Sequence, residues 1–291
     1  MRLVVVFAAL VAATVYVPAQ QPSVSFSADI TPQIRSDRQD DTRFRLYDDQ
    51  GQLSRVRMNL LFDNGYQIRY FQKLSRIDND PDDSGTEAFY LEDPGRWSLG
   101  KQYATFGTGR ILREPVIGGT LRLFLPFGDI PLEVSVFDNG GRLQKGVSGR
   151  LGDNPGLSFF FGEHFGIAGT SLTQVRYPEQ TPGWGHGYRT VLGADYSLAS
   201  GGWSAVIELI VLRQPNVPAD GQHDIGNLLL TYQFPYGPLV SGELTITGDD
   251  PKQSLRFSAE IPVDKNLFVV PSLRLRGAEG WRPAFGLRLR L

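Results

Sequence analysis

The chain has 291 residues, with 29 Lys and Arg against 31 Asp and Glu for a net charge of −2, and no cysteine. That balance excludes a protein drawn to nucleic acid by charge, and the missing cysteines exclude a disulfide framework. Beyond the first residues no apolar run approaches the roughly 20 needed for a membrane helix, and the mean hydropathy is −0.20. A barrel crossing a membrane with strands gives the same weak signal, because only alternate residues meet lipid.

The N-terminus reads Met1-Arg2, an apolar run from Leu3 to Val15, then Tyr16, Val17, Pro18 and Ala19. One positive charge, a short apolar stretch and small residues at the −3 and −1 positions predict a secretory signal peptide over 1–19, cut after Ala19. Residues 20–291 are then one exported domain. The 33 Gly and 19 Pro are spread through it, which suits many tight turns.

From residue 23 to 35, Val24, Phe26, Ala28, Ile30 and Ile34 alternate with Ser25, Ser27, Asp29 and Gln33, the period of a strand with one apolar face. A polar loop over 36–52 follows. Val56, Met58, Leu60 and Phe62 then lead through Asp63-Asn64-Gly65 into Tyr66, Ile68 and Tyr70, and Asn-Gly between alternating runs predicts a tight hairpin. Further strands fall at about 87–92, 96–106, 118–126, 130–138, 142–151, 157–163, 187–198, 203–213, 223–234, 238–248, 252–262, 267–276 and 281–291.

That makes about sixteen strands, or about fourteen if the weaker ones are discounted. The weak ones are 96–106 and 142–151, where Lys101 shares a face with Leu99 and Lys145 with Val147, so a bulge or register change is expected there. The stretch 164–186 could hide a further strand. In the last strand Phe285, Leu287, Leu289 and Leu291 alternate with Arg288 and Arg290, so one face wants hydrocarbon and the other water.

No helices are predicted to cover so many two-faced strands. A closed antiparallel β-barrel in a membrane satisfies them all, with no unpaired edge. The connections test this independently. Every even-to-odd turn is short, beginning with 63–65, 93–95 and 127–129 and ending with 235–237 and 263–266, while all the long connections (36–52, 78–86, 107–117, 164–186, 214–222) fall at the other end. Outer-membrane barrels alternate in this way. Phe62, Tyr66, Trp97, Phe127, Trp203, Phe234 and Tyr236 beside the short turns would form an interfacial girdle.

In a closed barrel the last strand meets the first. Arg55, Arg57, Arg69 and Lys73 near the start then join Arg256, Arg274, Arg276, Arg288 and Arg290 near the end in one inward-facing basic wall. Asp29 and Glu260 are the acids within it, and Glu133, Asp195, Glu208 and Glu243 lie on other inward faces. A basic stripe facing an acidic one would set a transverse field across a water-filled lumen, and excess arginine favours anions.

The run Leu91-Glu92-Asp93-Pro94-Gly95-Arg96-Trp97-Ser98-Leu99-Gly100-Lys101-Gln102-Tyr103-Ala104-Thr105-Phe106-Gly107 resembles the segment of bacterial outer-membrane porins in which a strand ends in Phe-Gly and enters the constriction loop. The resemblance, to a general or phosphate-selective porin-like barrel, implies a homotrimeric, sixteen-stranded channel whose third loop folds into the lumen. On that reading Arg110, Arg113 and Glu114 line the narrowest point. The chain departs from the pattern by ending on Leu291, where such porins end on an aromatic residue.

The expectation is therefore a porin in the outer membrane of a Gram-negative-type bacterium, contacting membrane lipid and passing small hydrophilic solutes, with a preference for anions. The competing readings are a non-channel structural or adhesive barrel with ligand-binding loops, and a soluble exported β-sandwich. His164, His186 and His223 have no spacing suited to metal, no Ser–His pair suits nucleophilic catalysis, and no cofactor is implied.

Overall fold

The computed structural model describes residues 23–30, 32–36, 42–45, 55–73, 86–111, 115–126, 128–138, 145–163, 188–213, 223–247, 253–276 and 280–291. The strand segments of the first half are β1 (Ser23–Ile30), β2 (Gln33–Ser36), β3 (Thr42–Arg45), β4 (Arg55–Leu61), β5 (Gln67–Lys73), β6 (Thr86–Asp93), β7 (Trp97–Tyr103), β8 (Pro115–Leu125) and β9 (Ile130–Asp138). Those of the second half are β10 (Lys145–Leu151), β11 (Gly156–Glu163), β12 (Tyr188–Ser200), β13 (Trp203–Arg213), β14 (His223–Gln233), β15 (Leu239–Thr247), β16 (Gln253–Pro262), β17 (Leu267–Arg276) and β18 (Trp281–Arg290).

These eighteen segments form one closed sheet of sixteen antiparallel staves. β1 and β2 are one stave interrupted at Pro32, which has no N–H to donate to a ladder. The Pro32 carbonyl still accepts the Leu287 N–H at 3.0 Å. The second stave is β3 and β4, of which β3 pairs with β2 and β4 with β1. β3 lies in a stretch expected to be loop. From β4 to β18 each strand pairs with its neighbours in sequence, and β18 closes the cylinder on β1 and β2.

The alternation fixes which way each side chain points, since directly opposed residues share a face. Val24 lies opposite Leu60 and Phe26 opposite Met58 on the outer face, whereas Ser27 opposes Arg57 and Asp29 opposes Arg55 on the inner one. In β18, Phe285 and Leu287 are exposed while Ala284, Gly286 and Arg288 are buried. Exposed Leu, Phe and Val at these outward positions form the apolar band a bilayer requires.

The seven short connections lie at one end of the barrel and are tight. In the first, Gly65 N–H donates to the Phe62 carbonyl and Phe62 N–H to that of Tyr66, both at 2.9 Å. Aromatics gather beside them: Tyr66 and Trp97 have ring centroids 5.8 Å apart, and Tyr232 lies 4.6 Å from Trp203 and 4.7 Å from Phe234. Phe127 lies outside the described residues.

Among the described residues of 96–106 and 142–151 the expected bulge is not there. β7 and β10 pair with both neighbours without a register shift, and Lys101 and Lys145 simply face outward. Lys101 Nζ donates to the Thr86 carbonyl at 2.7 Å, and Lys145 lies between Asp138 and Glu163 in the register. Both sit toward the long-loop ends of their strands, where charge on the outer face is cheapest. The register shift falls instead between Phe71 and Gln72 of β5, opposite β6. The possible strand within 164–186 lies outside the described residues.

Candidate functional site

The inner faces of β9 and β11 to β14 carry Phe137, Phe160, Val191, Ile210 and Ile225, all nearly inaccessible to solvent. Apolar groups facing a water-filled lumen would be costly, and here they are covered. After β7 the chain turns into the barrel, and Phe106 and Ile111 of that segment join this cluster with Ala104 and Val116. Gly193 makes room for the Phe106 ring, because a Cβ there would lie 2.9 Å from it.

Polar contacts fasten the same segment along its length. Thr105 N–H donates to Ser135 Oγ at 3.3 Å, and the two hydroxyls lie 2.9 Å apart. Gly107 N–H donates to Ser158 Oγ at 2.8 Å, and its carbonyl accepts from Arg150 at 2.7 Å. Glu208, fully buried on β13, accepts from Thr108 Oγ1 at 2.5 Å and from the Arg110 N–H at 3.1 Å. Gly107 has φ +50°, and any Cβ there would collide with the Glu208 carboxylate, so only glycine fits.

Arg110 is the outermost polar anchor. Its guanidinium donates to Glu243 Oε1 at 2.6 Å, and the same carboxylate binds Arg256 from the neighbouring strand and Asn227 at 2.8 Å. Arg113 and Glu114 lie outside the described residues. The loop thus runs along the inner wall from β9 to β15, and its described polar contacts all fall on that side.

The acids expected to form a stripe across the lumen are consumed in pairs. Glu133 meets Arg122 at 3.0 Å, Asp195 meets Arg150 at 2.5 Å, Glu208 holds the loop and Glu243 is shared by two arginines. A free acidic stripe opposing the basic wall is therefore not what these residues form.

Across the seam, Arg290, Asp29, Arg55 and Lys73 fall in one register row. A second row runs Glu243, Arg256, Arg274, Arg282 over four adjacent strands, so three guanidinium-bearing residues stand side by side. Arg282 was not among the expected residues, although its alternation with Ala284 and Arg288 would have found it. Arg288 meets Glu260 at 2.5 Å and Asp29 at 3.6 Å, and Arg290 meets Glu260 at 2.8 Å.

Arg55 pairs with Glu87 at 3.1 Å and Arg69 with Glu92, two acids that are not among those expected in the lumen. Glu87 is the β6 residue skipped where the register shifts, between Ala88 opposite Phe71 and Thr86 opposite Gln72, which periodicity cannot foresee. Arg57 is exposed above the Phe71 ring, its guanidinium carbon 5.8 Å from the centroid. The side chains of Lys73 and Arg276 lie outside the described residues.

The closed sixteen-stave barrel is a recognisable arrangement, and solved structures share it. The loop-deletion variant of OmpT, an outer membrane protein of Vibrio cholerae, superposes with a TM-score of 0.61 at 11% identity, covering 94% of this chain and 100% of that one. The anion-selective porin of Comamonas acidovorans gives 0.57 at 11% identity over 93% and 100%. OmpF of Salmonella typhi, solved with daunomycin, gives 0.57 at 12% identity over 93% and 98%. The fold is that of the bacterial outer-membrane porins. Neither protein-family models nor curated protein sequences give a match to this chain. The porin fold is thus carried by strand pattern and closure at an identity where little else is shared.

Proposed function

We propose that the chain is an outer-membrane channel through which small hydrophilic solutes diffuse, with a preference for anions. The observation that carries this reading is the asymmetry of the lumen. One loop is bound to the β9–β15 side by apolar and polar contacts, and arginines are concentrated on the other side, from β16 across the seam to β5. A passage between them would be narrowed by the loop and bordered by guanidiniums, which draw anions and repel cations. That a barrel of like fold is named an anion-selective porin is consistent with this.

The same reading places the short turns on the periplasmic side, export on a signal peptide over 1–19, and assembly as a homotrimer. It assigns no enzymatic step. Arg57, Arg69 and Arg282 border the passage, with Arg274 buried behind them, and Arg113, Glu114, Lys73 and Arg276 belong with them by sequence position.

The test is conductance of the refolded protein in a planar bilayer under a KCl gradient. Discrete steps with a reversal potential on the anion side are expected. Steps with cation preference would overturn the role of the basic wall, and folded, inserted protein without conductance would point to a structural barrel.

A further inference from the structure

The outer face of β13 to β17 carries a groove of about 480 Å³ that belongs to neither the lumen nor the loop. Two outward register rows build it. The first runs Trp203, Tyr232, Val240, Ala259 and the second Leu230, Gly242, Phe257, Leu273. Gly242 and Ala259 form a low floor, while Trp203 and Phe257 stand out beside it, 60% and 49% exposed. No side-chain polar atom is needed to fill it, and its lining is almost wholly apolar.

We infer that this groove holds one acyl chain of an anionic phospholipid from the leaflet at the short-turn end, with the lipid phosphate at Lys265. The inference rests on the membrane placement proposed above. Leu273 lies six residues along β17 from its start at Leu267, about 15 Å of depth for a tilted strand, which is one leaflet of a ~30 Å hydrocarbon core. The mouth of the groove carries Trp203 and Tyr232, the residue types that sit at headgroup level.

Charge selects the headgroup. Three short turns lie beneath the groove, 201–202, 234–238 and 263–266, and Lys265 is their single cation. It is exposed, in the turn that joins the two strands carrying Phe257 and Leu273. Its neighbour Asp264, also exposed, accepts the Lys265 backbone N–H at 2.7 Å through one carboxylate oxygen. Tyr236, fully exposed in the adjacent turn, adds a phenolic hydroxyl at the same level.

Shape argues for a lipid chain over a second barrel. A neighbouring barrel wall is broad and would rest on Trp203 and Phe257, leaving the floor at Gly242 empty, and such a void forfeits contacts. A single flexible chain can lie in the trough and touch both sides.

The test measures phospholipid retained by the full chain, purified in mild detergent from nanodiscs containing equal phosphatidylglycerol and phosphatidylcholine of the same acyl chains, by native mass spectrometry. One phospholipid per chain is expected, with about a five-fold preference for phosphatidylglycerol, the contribution of one lysine near the surface. Gly242→Leu fills the floor, where a Cβ meets only the Phe257 ring edge at 3.5 Å, and should abolish retention. Lys265→Gln should keep the lipid and lose the preference.

Retention unchanged in Gly242→Leu overturns the site. So does a fall in the number of chains per particle with lipid unchanged, which would make the face a contact between copies. Heat-modifiable migration reports that each variant is a folded barrel. Conductance of the same samples reports the channel reading separately, so the failure of one is distinguishable from the failure of the other.

Discussion

The inner wall from β9 to β15 and the inner wall from β16 across the seam to β5 are built from the same alternating strands, but they bury their aromatic residues in different ways. In the first, Phe137 and Phe160 stack with centroids 5.7 Å apart and a loop covers them. In the second, Phe71 lies beneath Arg57 and Phe268 beneath Arg290, whose guanidinium carbon is 4.9 Å from the ring centroid. A loop cover removes the wall from water, whereas a guanidinium cover shields the ring and keeps its own charge in the lumen. Which cover a stretch of wall receives decides whether it becomes core or channel lining.

The comparison can be broken most forcefully at Phe106. Truncating a buried Phe to Ala costs about 3–5 kcal/mol, and here that loss falls on the loop while the barrel ladder is left intact. Phe106→Ala should therefore raise single-channel conductance without changing the heat-modifiable migration that marks a folded barrel. A conductance equal to wild type would mean the polar anchors alone hold the loop.

Glu208→Ala removes an acceptor shared by Thr108 and Arg110, a loss of about 1–3 kcal/mol from unsatisfied loop donors. It should produce flickering conductance between two levels in bilayer recordings rather than one stable larger level. On the other wall, Arg57→Glu is the cleanest charge reversal, because Arg57 is exposed over a ring, whereas Arg55 is buried against Glu87. A charge a few ångströms from a passing ion in water is worth about 1 kcal/mol, so the reversal potential should move measurably toward cations with conductance nearly unchanged.

The smallest effect is expected on the outer face. Lys101→Leu exchanges a lysine bound to the Thr86 carbonyl for an apolar residue near the end of its strand. Urea unfolding in lipid vesicles should shift by less than about 1 kcal/mol. A large loss would show that Lys101 holds the β6–β7 edge.

Much of the fold is legible in the sequence because a two-faced strand writes its orientation in every second residue. The alternation of Phe285 and Leu287 with Arg288 and Arg290 is enough to place β18, and the parity of short turns places the rest. The loop-covered wall is harder to read. Phe159-Phe160-Phe161 and Leu209 to Leu212 are apolar on both faces, and a continuous run of that kind signals a strand covered on both sides. Read that way, it would have located the side of the lumen on which the loop lies. The pairing of Arg55 with Glu87 had no such signal, since one residue of lost register moves every later side chain to the other face. Strand ends also differ by a few residues at β7 and β8, where loop chemistry rather than periodicity sets the boundary.

The seam carries a consequence for the order in which the barrel forms. Nearly every pairing joins strands adjacent in sequence, so hairpins can form early with small loops to close. The pairing of Asp29 with Arg290, and the bonds between Ala28 and Leu291 at 2.9 and 3.0 Å, join the two ends of the described chain. Such a contact is entropically the most expensive to make and gains from every strand already in place. One edge of the first strand can pair early with β4, whereas its other edge has a partner only once the last strand is in place.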